Sequence, residues 1–161
     1  MKSQKKISSI LQHKSLHSLD NLYINRELSW IAFNQRVLDE ANNLNHPILE
    51  NLKFLSISGS NLDEFYMVRV AGLHAQADEG INIKSSDGMS PQEQLVEVNK
   101  KANLLMANQQ KTWKTLKEKM RGNNIHILTK NSLSIKEKKW CSEYFDNHVL
   151  PVLTPLAIDP A

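Results

Sequence analysis

The chain has 161 residues, of which 40% are hydrophobic and 23% charged, and its formal net charge is +3. This is an ordinary globular composition, with enough apolar residues to form a core. The small positive charge does not indicate a nucleic-acid-binding protein, and no apolar run approaches the ~20 residues that a membrane span needs. The single cysteine, Cys141, excludes an internal disulfide and favours a reducing, cytoplasmic setting.

Residues 1–21 are rich in Ser, Lys and His, and their apolar residues are isolated from one another. They lack the continuous apolar core of a secretory signal peptide. We predict a disordered leader; the alternative is a short amphipathic helix that docks on a partner.

Two helices are predicted before residue 78. The first runs from about Arg26 to Asn43, because apolar residues recur at steps of three and four. Its predicted buried stripe is Trp30, Phe33, Val37, Ala41 and Leu44, and Ile31 and Leu38 widen it. The second begins at Pro47, whose missing N–H costs nothing at a first helical position. It either breaks at Ser58–Ser60 or runs straight through to about Gly72, and the sequence leaves both alternatives open.

The best-marked boundary follows a polar loop over residues 78–90. Ser90 is a helix cap, Pro91 the first helical residue, and Glu93 completes a capping box. The apolar stripe that follows continues to Gly122, which gives about 31 residues and a rod of roughly 45 Å. The first two helices can lie against this rod as a three-helix bundle.

The character of the chain changes after Gly122. Residues 125–128 alternate weakly and predict a short strand. Ser134 and Glu137 form a second capping box that opens a helix to about His148. Residues 150–155 contain two prolines and are predicted to be extended. The predicted fold class is therefore mainly α: a three-helix bundle over residues 22–122, followed by the first strand–helix–strand elements of a truncated α/β domain at 123–161.

Familiar catalytic signatures are absent from the sequence. There is no glycine-rich phosphate loop, GxSxG, HExxH or cysteine pair. The six histidines lie far apart, and none pairs with another at metal-ligand spacing. We predict no catalytic residue and no metal ligand in this chain, and we interpret Cys141 as a packed thiol.

The stretch Ser58–Arg69 combines apolar residues with an amide, two carboxylates and a guanidinium. Such a mixture predicts either a satisfied polar network in a core or a recognition site. The Asn61 amide can pair with the amino group of adenine and the neighbouring ring nitrogen, or it can cap a helix or form a turn. Arg69, two turns further on, can meet a phosphate or pair with Asp63 or another acid of the bundle.

Three stretches together resemble the bacterial polyphosphate kinase family. They are Tyr23–Leu38 (YINRELSWIAFNQRVL), Leu55–Arg69 with its SNLDEFY motif, and Val149–Pro160 (VLPVLTPLAIDP). The resemblance is to the amino-terminal part of the family enzyme, from about residue 22 to the end of the chain, and it is weak between residues 75 and 120.

The resemblance implies an enzyme that reversibly transfers the γ-phosphate of ATP to polyphosphate through a phosphohistidine. In the family, the asparagine of SNLDEFY contacts the nucleotide base, and that position is Asn61 here. Asp63 and Arg69 are the candidates for a supporting polar network. The phosphorylated histidine and the Mg²⁺ and phosphate ligands belong to later domains of the family enzyme. We therefore expect an adenine-binding wall without the catalytic histidine, and no activity from these 161 residues alone.

The same resemblance implies ATP, ADP and polyphosphate as partners, and a homo-oligomer for the complete enzyme. We expect neither nucleic acid nor a membrane span. Two other hypotheses stay open at this point. One is a non-catalytic helical module that binds a protein through its apolar stripes. The other is a basic helix end, Lys114–Arg121, that binds polyphosphate or RNA.

Overall fold

A computed structural model describes residues 23–154. The predicted leader lies outside these residues, as does the end of the VLPVLTPLAIDP stretch. The chain divides into two compact units, with the boundary between Met120 and Arg121. The described residues are mainly helical and include no β-strand. The domain limits drawn from the sequence stay a prediction.

Helix α1 spans Arg26–Glu40 and begins where the sequence predicted. Asn25 caps it, because its side-chain oxygen accepts hydrogen bonds from the backbone N–H groups of Glu27 and Leu28, both at 3.0 Å. The helix ends three residues before the predicted Asn43. The side chain of Asn43 accepts a hydrogen bond from the Asn45 backbone at 3.0 Å, and this local turn competes with helix continuation.

The second helical rod is continuous. Helix α2, Ile48–Glu64, passes into a π-helical segment, Phe65–Val70, and then into helix α3, Ala71–Asp78. Of the two alternatives left open by the sequence, the structure therefore shows the one without a break at Ser58–Ser60, and the rod extends beyond Gly72. Nothing lies within 4 Å of a Cβ built on Gly59, so no close backbone approach requires a glycine there. Pro47 is the cap residue of α2 and not its first residue.

Helix α4 spans Pro91–Gly122 and has 32 residues. The predicted capping box is confirmed: the Ser90 N–H donates to Glu93 Oε2 at 2.8 Å, and the Glu93 N–H donates to Ser90 Oγ at 3.3 Å. The left-handed residue after the helix is Asn124, with φ of 61°. Asparagine tolerates this conformation better than most other residues, so the chain turns there without a glycine.

The core of the first unit is built from α1, α2, the π-helical segment, α3 and α4. Its buried apolar members are Ile31, Leu38, Ala41, Leu62, Phe65, Val70, Leu73, Leu95, Val98, Ala102 and Leu105. On α1 the buried apolar residues are Ile31 and Leu38, which were predicted to widen the stripe, and Ala41 just after the helix is buried as predicted. Phe33 and Leu44 are exposed, whereas Ile31, Asn34 and Leu38 are buried and Trp30 packs only partly against the core. The member of this face that the apolar pattern missed is Asn34, because it is polar.

The second unit contains helix α5, Ile135–Tyr144, but neither of the predicted strands. A strand needs a neighbouring strand for its backbone hydrogen bonds, and the described residues provide none at 125–128. A π-helical segment, Phe145–Val149, follows α5, and Leu150–Val152 forms one 3₁₀ turn. The expectation that two prolines exclude a helical turn was wrong, because a first turn tolerates Pro151.

The sequence predicted the start of α5 correctly and the environment of its cysteine incorrectly. The Ser134–Glu137 capping box is present, with the Ser134 N–H donating to Glu137 Oε2 at 2.7 Å. Cys141 is exposed and not packed, because α5 buries none of its residues. Within residues 23–154 no helix is long and apolar enough to cross a membrane.

Candidate functional site

A cleft of about 260 Å³ lies between α1 and the junction of α2 with the π-helical segment. Its walls contain five residues of Ser58–Arg69, the mixed apolar and polar stretch that the sequence singled out. The lining residues are Trp30, Phe33, Asn61, Glu64, Phe65, Val68 and Arg69. Residues three, four and seven apart share one face of a helix, so Asn61 shares its side of the rod with Phe65 and Val68.

Aromatic rings form one wall of the cleft. Trp30 stacks on Phe65, with ring centroids 4.4 Å apart and planes only 10° from parallel. Phe65 is buried, whereas Phe33 is 48% exposed, with the Arg36 guanidinium 5.8 Å from its ring centroid. Stacked rings of this kind provide a rigid, flat apolar surface. A planar ligand can pack against such a wall.

The amide of Asn61 lies at the cleft and belongs to a polar network that links three helices. Its Nδ2 donates to Asn34 Oδ1 at 3.5 Å, a long hydrogen bond. Asn34 is fully buried, and its own Nδ2 donates to the Ser58 carbonyl at 3.0 Å. The Ser58 hydroxyl in turn accepts from Gln109 Nε2 of α4 at 2.9 Å. The buried polar groups are thus satisfied, and the network ends at the cleft.

Arg69 supplies the positive charge of the cleft. Its Nη1 lies 3.6 Å from Glu27 Oε1, and the Arg69 and Glu27 side chains are 36% and 13% exposed. The pairing with another acid of the bundle, rather than with Asp63, is thus the one that the structure shows. Glu27 Oε2 is buried and has no hydrogen-bond partner, the only such side-chain atom in the described part of the chain. The Glu27 carboxylate is therefore only partly compensated.

Of the three residues proposed from the sequence, the structure brings Asn61 and Arg69 to one cleft and leaves Asp63 apart. Asp63 is exposed and does not line the cleft, and its carboxylate makes no hydrogen bond or ion pair with any described residue. Its part in a supporting network stays a prediction. The neighbouring carboxylate, Glu64, lines the cleft instead.

Sequence reasoning missed several other residues of the site. Glu64 lies three residues after Asn61, a helical spacing that could have identified it. Trp30 and Phe33 were assigned to the core, and no local signal links Asn34 or Glu27 to residues so distant in sequence. The π-helical segment was missed as well, and such segments occur frequently at functional sites.

The carboxyl groups whose pKa values are shifted lie outside the cleft. Hydrogen bonds from Ser90, first from its backbone N–H and then from its hydroxyl, hold the pKa of Glu93 below its ordinary value of 4.5. Ser134 lowers the pKa of Glu137 in the same way, its side chain contributing more than its backbone. Side-chain hydrogen bonds from Asn43 and then His46 lower the pKa of Glu40. Each belongs to a cap or turn and not to the cleft.

No group of three or more His, Cys, Asp or Glu side chains among residues 23–154 could hold a metal ion. The cleft itself contains only one carboxylate, Glu64, whereas Mg²⁺ prefers several oxygen ligands. The residues present therefore do not fit a Mg²⁺ site.

Residues 23–128 match the polyphosphate kinase N-terminal domain. This range includes every residue that lines the cleft. The chain belongs to the polyphosphate kinase family.

Curated polyphosphate kinases from several bacteria support the assignment. The chain is 48% identical over 139 residues to the polyphosphate kinase of Erythrobacter litoralis, covering 86% of this chain and 19% of the relative. It is 49% identical over 139 residues to that of Bacillus cereus, covering 85% of this chain and 20% of the relative. It is 43% identical over 143 residues to that of Mycobacterium avium, covering 88% and 20% respectively. No solved structure matches the chain.

The chain spans about a fifth of the length of the curated polyphosphate kinases that it matches. Residues 23–120 of the first unit, with the cleft, fall within the range that matches the amino-terminal domain of the family.

Proposed function

We propose that this chain forms the adenine-binding wall of the ATP site in a polyphosphate kinase. The complete enzyme transfers the γ-phosphate of ATP reversibly to polyphosphate, through a phosphohistidine carried outside these 161 residues. The observation that carries the proposal is the amide of Asn61, which lies at a cleft next to flat aromatic side chains.

The chemistry of Asn61 suits adenine. A side-chain amide offers a carbonyl acceptor beside an N–H donor, and adenine offers an amino donor beside a ring-nitrogen acceptor. One N–H of Asn61 donates to Asn34, so the carbonyl oxygen and the second N–H of Asn61 stay available to a base. The apolar surface of Phe33 and Val68 can pack against the base, as in most small-molecule sites.

Arg69 supports this wall and does not supply the charge clamp of a phosphoryl-transfer site. Stabilising the transferred phosphate takes several cations or metal ions, and Arg69, already paired with Glu27, is the cation that lines this cleft. We place the phosphate clamps and the Mg²⁺ of the complete enzyme outside this chain, which leaves positioning of the nucleotide as the role of the cleft.

Family membership supports ATP, ADP and polyphosphate as the partners, and it favours a kinase over a non-catalytic interaction module. We extend the proposal to a cytoplasmic enzyme that works as a homo-oligomer. On this proposal the 161 residues alone have no kinase activity.

The test is Asn61→Ala in a full-length polyphosphate kinase that contains this chain. Base contacts are made equally in the ground state and the transition state, so KM for ATP should rise while kcat changes little. A bidentate contact with a base corresponds to a rise of about five- to 150-fold. Steady-state kinetics with varied ATP measure both constants.

Asn108→Ala is the matched control. Asn108 is also a partly buried asparagine that donates one side-chain hydrogen bond, to Gln35 Oε1 at 3.0 Å, but it does not line the cleft. Its KM for ATP should match that of the parent enzyme. An unchanged KM in Asn61→Ala would remove Asn61 from the nucleotide site.

A further inference from the structure

The orientation of the Asn61 amide is set by a chain of hydrogen bonds with a fixed direction. The chain begins at the Ser58 backbone carbonyl, which can only accept. Asn34 must therefore turn its Nδ2 toward Ser58, at 3.0 Å, and its Oδ1 away from it. That Oδ1 faces Asn61 and can only accept, so Asn61 must present its Nδ2, at 3.5 Å.

A reversed Asn61 amide would place two carbonyl oxygens against each other. Asn34 cannot turn to relieve this contact, because it is fully buried and its own Nδ2 would lose the Ser58 carbonyl. An unpaired buried polar group costs more than a hydrogen bond gains. The usual two-fold ambiguity of an asparagine side chain is thus removed at position 61.

A fixed amide distinguishes between purine bases. A carbonyl oxygen at the position of Asn61 Oδ1 accepts from the amino group of adenine, but guanine carries a carbonyl at the equivalent position. A free amide could reverse and donate to guanine instead. We infer that Asn34 is a positioning residue that makes this site selective for adenine over guanine nucleotides by fixing the Asn61 amide.

This inference rests on the proposed function and adds to it a determinant of base selectivity that does not touch the ligand. Asn34 does not line the cleft, and its side chain is connected to the cleft through the hydrogen bond with Asn61. Asn34 acts through the Asn61 side chain. If its role were purely structural, its substitution would change the enzyme's stability without changing the preference between ATP and GTP.

The experiment measures kcat/KM for ATP and for GTP in a full-length polyphosphate kinase that contains this chain. Asn34→Leu keeps the branched shape of the side chain and removes both hydrogen bonds. The ratio of the two kcat/KM values should fall by about fivefold or more, chiefly through a lower KM for GTP relative to that for ATP. This ratio is independent of the folded fraction of the preparation, because both substrates report on the same active molecules.

Gln109→Leu is the matched control. It removes the hydrogen bond to the Ser58 hydroxyl and leaves the direction of the Asn34–Asn61 pair intact, so its ratio should equal that of the parent. If Asn34→Leu gives no folded enzyme, Asn34→Ser provides the same test with a side chain that is shorter than the span to Asn61.

Two failures can be distinguished. An unchanged KM for ATP in Asn61→Ala would overturn the proposed function and this inference with it. A raised KM in Asn61→Ala, together with an unchanged ATP-to-GTP ratio in the Asn34 variant, would overturn only the inference.

Discussion

Glu27 and Arg69 show how unequally two partners of one ion pair can be placed. The Glu27 side chain is 13% exposed and one of its oxygens has no partner, whereas the Arg69 side chain is 36% exposed. Removing one member of a buried pair is costly because the other charge stays behind without compensation. Water can reach the guanidinium of Arg69 far more easily than the carboxylate of Glu27.

We therefore predict that Arg69→Met lowers the free energy of unfolding more than Glu27→Gln does. The first change leaves a buried carboxylate with neither oxygen paired, and the second leaves a cation that water can solvate. The double variant should recover part of the loss, with a coupling of about 0.5–3 kcal/mol. Urea unfolding of the parent and the three variants measures each loss of unfolding free energy and the coupling between them. Equal losses in the two single variants would show that Glu27 is already well solvated.

At the level of single residues, the sequence identified Asn61 and Arg69 but not the residues that pair with them. Asn61 was found because its side chain has a recognisable partner chemistry and because it lies in a family motif. Asn34 was not found, since its hydrogen bonds join it to Ser58 and Asn61, 24 and 27 positions away. A polar residue on the buried face of an amphipathic helix gives no sign of such a partner before the helices are packed together.

The elements that the sequence predicted best are those defined by short-range contacts. Both capping boxes join residues three apart, at Ser90–Glu93 and Ser134–Glu137, and both are present. The strand at residues 125–128 was predicted from alternation alone, and alternation does not supply the second strand that a ladder requires. The π-helical segment Phe65–Val70 differs from an α-helix by its wider turn, which apolar spacing does not reveal.

The cap of α4 leads to a prediction about pH. The pKa of Glu93 lies below its ordinary value of 4.5, chiefly because the Ser90 N–H donates to the ionised carboxylate. Its contribution to stability is therefore fully present above pH 4.5 and is lost as the pH falls through the lower pKa of the folded state. We expect Glu93→Gln to lower Tm at neutral pH, and the difference from the parent to shrink as the pH falls below 4.5.

Thermal melts of the 161-residue chain across this pH range measure that difference. Glu118→Gln is the control, because it removes one glutamate of the same helix that lies far from its amino terminus. A Tm difference for Glu93→Gln that stays constant from neutral pH to below 4.5 would show that the charge of this carboxylate does not stabilise the cap.

Across the whole chain, burial is distributed very unevenly between the two units. Every buried residue that the structure describes lies at or before Met120, and residues 121–154 bury none. The first unit thus has a core of its own, which the helical pattern of the sequence predicted in outline. The predicted strands of the second unit were wrong, because a strand depends on neighbouring strands and a shared core that no local pattern can reveal.

The first unit should therefore fold without the residues that follow it. A chain of residues 1–124 keeps every member of the core cluster, as well as Leu116, Met120 and the left-handed turn at Asn124. We expect its unfolding transition to stay cooperative and its stability to change by less than about 1 kcal/mol, which corresponds to less than about 4–8 °C in Tm. Differential scanning calorimetry of the two chains compares both quantities.

A chain of residues 1–110 serves as the control, because it loses Thr112, Leu116 and Met120, all of them buried, and should melt far lower. A large loss of Tm in the 1–124 chain would show that residues after Asn124 stabilise the first unit.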